Sequence, residues 1–144
     1  MERPALQRVP DWRPRLVAWL AEVARKPFRP GEHDCALFAA GAIATMTGTD
    51  PAAKYRGRYT TVPGGLRILR RDGFADHVAL VTGLLEEIPP LMAQVGDLAV
   101  VPTPEGPALG VVAGAEVLVL RPEGQGAVSL MAVERAFKLP SGGY

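Results

Sequence analysis

The residue pattern changes character at Pro89-Pro90, and that break does more than any other feature to limit what this chain can fold into. Upstream of it, apolar residues recur at helical spacing between Gly and Pro breaks; downstream they fall into short β-type runs between turns. Asp11 can cap a helix running to about residue 26, with Leu16, Trp19, Leu20 and Val23 on one face. Residues 27–31 force a turn, and a second helix is expected over 35–47, capped by Asp34 and stopped by Gly48. A short third helix is expected to open at Thr49-Asp50-Pro51. Another should follow a Gly64-Gly65 entry turn over 66–72, ending at Gly73, and a last helical piece should cover 75–85. After the break, a Gly96-Asp97 turn leads into β runs at 98–101, 108–113 and 116–121, spaced as an antiparallel meander. Ser129 is expected to cap a short helix over 130–136, and 137–139 to add an edge strand. Helices first and a small antiparallel sheet second make an α+β protein. With no linker between the halves, residues 1–144 read as one domain, loose at about 1–10 and 140–144.

Charge and composition exclude several function classes. A formal net charge of +1 gives no electrostatic footprint for nucleic acid. No apolar run reaches membrane-spanning length, and Met1-Glu2-Arg3-Pro4 lacks a signal core, so synthesis in the cytoplasm without a membrane span is expected. One cysteine and two histidines fall short of a zinc pattern. Gly64-Gly65 lacks the flanking strand and lysine of a phosphate loop, so neither metal nor cofactor is expected.

The chemistry is concentrated in Gly31-Glu32-His33-Asp34-Cys35-Ala36-Leu37-Phe38. If Asp34 caps the helix, Cys35 sits in its first turn, where the dipole and unpaired N–H groups favour the reactive thiolate. The alternative is a buried, inert thiol, the commoner fate of a lone cysteine. A nucleophile needs a base within hydrogen-bond reach, and only His33 and His77 are available. His33 can instead brace the turn over 27–31, and the Asp76-His77 pair can be a solvated surface feature. Tyr55-Arg56-Gly57-Arg58-Tyr59 interleaves basic and aromatic groups; Arg56, Arg58 and Tyr59 either bind a partner or serve internal carboxylates such as Asp50 and Asp72.

The Asp34-Cys35 helix start followed by the Gly96-Asp97 turn resembles the NlpC-type cell-wall cysteine peptidases, a branch of the papain-like class. The stretches HDCALFAAGAIATMTGTDPAAKYRGRY and GDLAVV…ALGVVAG are similar to phage and prophage proteins related to those peptidases and encoded among tail genes. The resemblance implies a papain-like NlpC-type fold, with Cys35 as nucleophile and Asp34 and Asp97 at the matching motif positions. It also implies a virion location at the tail tip, with other tail-tip or hub proteins as partners and peptidoglycan as the substrate of an active form. One departure stands out. The family's histidine begins the second sheet strand, and here that strand reads Pro107-Ala108-Leu109-Gly110. On that ground the expected function is a structural tail-tip or baseplate component with a degenerate peptidase fold, Cys35 packing with no imidazole within about 4 Å. The alternative is an active peptidase or amidase using Cys35 with a displaced His33 or His77. Arg56–Tyr59 and the proline-rich loop 102–107 are the candidate docking segments.

Overall fold

The computed structural model describes residues 6–141, so 1–5 and 142–144, part of the expected loose ends, lie outside the described residues. The elements run α1 (Trp12–Val23), α2 (Cys35–Thr47), α3 (Val62–Arg71), α4 (His77–Thr82), β1 (Glu86–Ile88), β2 (Leu98–Thr103), β3 (Gly106–Val112), β4 (Glu116–Arg121), β5 (Gly124–Ser129) and β6 (Arg135–Lys138). Single 3-10 turns lie at Pro90–Met92 and Leu130–Ala132. The strands form one antiparallel sheet in the order β1-β6-β2-β3-β4-β5. This is the expected α+β architecture.

Helix α2 is the hub. Its Phe38, Ala39, Ala42, Ile43 and Met46 meet Leu16 and Val23 of α1, and Leu98, Val100, Leu109 and Val111 of the sheet, in the main core. Leu37 and Ala40 face a separate cluster with Tyr55 and Leu69. A helix apolar on every side has no solvent face to offer, which is why Ala39, Ala40 and Ala42 are buried. The alternate strand residues Ala99, Val101, Ala108, Val112, Val117 and Val119 form another cluster, against which Cys35 packs. Among the described residues no helix is long and apolar enough to cross a membrane.

Several boundaries differ from the sequence expectation. Helix α1 ends at Val23, and Asp11 makes no cap bond because its carboxylate pairs with Arg15 at 2.9 Å. No helix forms after Pro51: residues 51–57 are successive turns, with Asp50 accepting the Ala52 N–H and Gly57 in a left-handed conformation. Helix α3 begins at Val62, ahead of the glycine pair, because Thr61 caps it through Gly64 N–H and Pro63 fits the first turn. Gly64-Gly65 is therefore inside a helix, where Gly65 leaves room for the Tyr59 ring. Helix α4 is only six residues long, and Glu86–Ile88 leaves the helical half to pair with β6. Ser129 caps a 3-10 turn instead of a helix. Strand β6 is internal, between β1 and β2, so the expected edge strand is a middle one. The N-terminal segment from residue 6 is tied down: Arg8 is buried, its N–H donates to Pro140 O at 2.9 Å, and Val9 N–H donates to Met46 O at 2.9 Å.

Candidate functional site

Asp34 and Cys35 stand where the sequence puts them, at the N-cap and first residue of α2. The Asp34 carboxylate accepts three bonds, from Leu37 N–H at 2.9 Å, Gly31 N–H at 3.0 Å and the Tyr59 hydroxyl at 2.5 Å. Gly31 supplies the positive φ this turn needs, and its missing Cβ lets the Tyr59 carbonyl approach. Burial and the bond to Asp34 push the Tyr59 phenol well above its usual range, so it stays a donor. Asp34 is thus fully used in holding the helix start.

The Cys35 thiol is pushed up to about 11, first by burial and then by the negative charge of Asp34. Backbone N–H groups of Leu109, Ala36 and Cys35 pull the other way and do not prevail. The helix start was expected to favour thiolate, but the acid that caps it opposes that effect at close range.

The imidazole is present after all. His77 Nε2 lies 3.8 Å from Cys35 Sγ, across 42 residues of sequence, which corrects the expectation of no imidazole within reach. The ring enters because Asp76 caps α4 through Ala79 N–H at 2.9 Å, leaving His77 as the first helical residue, pointed at the start of α2. His77 is half-buried, not a solvated surface group, and burial lowers its pKa despite Asp76 and the Pro107 carbonyl. The same Nε2 lies 3.0 Å from Pro107 O. A carbonyl can only accept, so that contact puts the proton on Nε2 and leaves the thiol without an acceptor there. Two partners therefore compete for one nitrogen.

The other candidates lie elsewhere. His33 is buried, its backbone bridged to Arg29 and its ring edge-on to Phe38; its Nε2 has no hydrogen-bond partner among the described residues. Desolvation lowers its pKa, and it braces the turn over 27–31. Arg56 is held by the Asp50 carboxylate at 2.5 Å and by Leu37 O at 3.3 Å, so it serves as an internal clamp. Tyr55 and Lys54 share Asp72 in the same manner. Arg58 is exposed beside Arg67 and Arg71, away from the thiol. Asp97 is buried under Arg8 at 2.9 Å, and its carboxylate also accepts from the Gln94 and Leu139 N–H groups. Among the described residues no three His, Cys, Asp or Glu side chains gather as a metal set would.

Cys35 and His77 open onto a cavity of about 560 Å³ between α2, α3, α4 and the β2–β3 hairpin. The residues that shape it, such as Leu66 and Leu80, carry no sequence signal beyond being apolar, and the Pro107 carbonyl carries none at all. The model of a protein family described as Domain of unknown function (DUF6950) matches residues 7–139. No curated protein matches the chain.

Proposed function

The chain belongs to the DUF6950 family, whose description assigns no activity, and on the geometry of its own site we propose that it is a papain-like, NlpC-type thiol hydrolase with Cys35 as nucleophile and His77 as base. The observation that carries this reading is the 3.8 Å approach of an imidazole to a thiol at a helix start, in the wall of a cavity. The histidine missing from the second strand is replaced by one from α4. Both groups rest neutral, so the chemistry is general-base: Nε2 takes the thiol proton as Sγ attacks an acyl carbon, then returns it to the leaving group. For this the imidazole must release Pro107 O and carry its proton on Nδ1. The resemblance to tail-encoded proteins adds a setting, a phage-type tail tip working on peptidoglycan peptides.

A second reading has its own observation. Nε2 sits nearer Pro107 O than Sγ, and the thiol is pushed up to about 11, as in a structural tail-tip subunit that has lost hydrolysis. Purified protein incubated with peptidoglycan fragments separates the two. The hydrolase reading expects new amine ends with the native chain, none with Cys35→Ala, and turnover about 10²–10⁴-fold lower with His77→Ala. No cleavage by the native chain, together with normal particle assembly by Cys35→Ala, establishes the structural role instead.

A further inference from the structure

We infer that the acyl group passed to Cys35 is an aliphatic chain, held in the cavity beside the thiol. The inference rests on the reading of Cys35 and His77 as a thiol hydrolase, and it puts an aliphatic acyl donor in place of the peptidoglycan peptide as the substrate. Leu66 and Leu69 of α3, Leu80 of α4 and Leu109 of β3 line the space, and Leu66 and Leu80 are only half-buried because they face it. Apolar surface continues to the mouth, where Val62 and Leu84 are 49% and 45% exposed. The charged side chains along the wall are mostly engaged already. Asp34 caps α2, Asp76 caps α4, Arg70 donates to Ala75 O, and Arg121 forms a 3.6 Å ion pair with Glu123, its Nε making no hydrogen bond among the described residues. Glu105 is the remaining one, exposed at the hairpin tip. A polar or charged acyl group entering here would lose its water and meet mostly apolar walls, whereas a hydrocarbon gains by burial. A cavity of about 560 Å³ is of ordinary size for a small-molecule site, and this one has a nucleophile in its wall.

The test uses p-nitrophenyl acetate, butyrate, hexanoate and octanoate with the native chain. The Cys35 sulfur forms the S–C bond, the ester C–O bond breaks with release of nitrophenolate, and the thiol proton passes to His77. Water then cleaves the thioester to free acid and thiol. Nitrophenolate release and the intact mass of acylated protein are followed together, with Cys35→Ser as the blank. The expected result is acylation at Cys35 that speeds up at least about twofold per added methylene. Leu66→Gln and Leu80→Gln should each flatten that slope. Acylation at rates that do not rise with chain length overturns the inference and leaves the hydrolase reading intact. Absence of Cys35 acylation by every ester overturns the reading itself, and the inference with it.

Discussion

At the residue scale, one nitrogen decides the chemistry. His77 Nε2 lies between Pro107 O at 3.0 Å and Cys35 Sγ at 3.8 Å, and the thiol it faces is pushed up to about 11. A thiol with so high a pKa is almost wholly protonated at neutral pH, and a half-buried imidazole with a lowered pKa is neutral there too. Alkylation of Cys35 by iodoacetamide is therefore expected to rise about tenfold per pH unit from about pH 7 to about pH 10, with no plateau on the acid side. A plateau between about pH 5 and pH 8 would show instead a thiolate–imidazolium pair, formed by a shift of Nε2 from the carbonyl to the sulfur. Of this site, Asp34-Cys35 was legible because a cap and the residue after it are local in sequence. His77 was not. Its ring reaches the sulfur only because α4 starts at Asp76 and packs beside β3, a contact across 42 residues.

At the element scale, α3 shows how a side chain from outside can settle where a helix places its glycines. Thr61 and Pro63 are a start signal that outranks the glycine pair, so Gly65 lies in the first turns of α3 and is buried. A Cβ there would come within 3.0 Å of Tyr59 Cε2 and 3.1 Å of Cδ2. That ring cannot retreat easily, because its hydroxyl is bonded to Asp34. Helix propensity alone would make Gly65→Ala stabilising by about 1 kcal/mol. The overlap is expected to reverse the sign, giving a loss of about 1 kcal/mol in urea unfolding. In a Tyr59→Ala background the same substitution should become stabilising, and a double-mutant cycle measures the coupling. A Gly65→Ala gain with Tyr59 intact would mean the ring moves at little cost. Helix α1 was legible from its apolar stripe and α2 from its Asp34 cap and Gly48 stop, as were the three β runs of the meander. Glu86–Ile88 and Gly124–Ser129 were not. One is short and charged and the other glycine-rich, and each is a strand only because a neighbour supplies the ladder.

At the scale of the whole molecule, Asp97 joins parts of the chain that the sequence keeps far apart. Its carboxylate accepts from Arg8 at 2.9 Å, from Gln94 N–H at 2.8 Å and from Leu139 N–H at 3.1 Å. The first turn of the sheet is thereby fixed to both ends of the described chain, beside the Arg8 N–H to Pro140 O bond. Gly96-Asp97 was legible as a turn, yet nothing in the local sequence assigns the acid a cation at residue 8. The pair is buried, so removing the Asp97 carboxylate takes an acceptor from the Arg8 guanidinium and from the Gln94 and Leu139 N–H groups together, in a place water does not reach. Asp97→Ala is expected to cost about 3–5 kcal/mol of unfolding free energy, measured in guanidinium. Arg8→Met should cost less, because Asp97 keeps its two backbone donors while the apolar side chain refills the space over Trp12. If Asp97→Ala costs under about 1 kcal/mol, the carboxylate does not fasten the chain ends, and the apolar contacts of Phe137 and Leu139 with the core hold β6 in place without it.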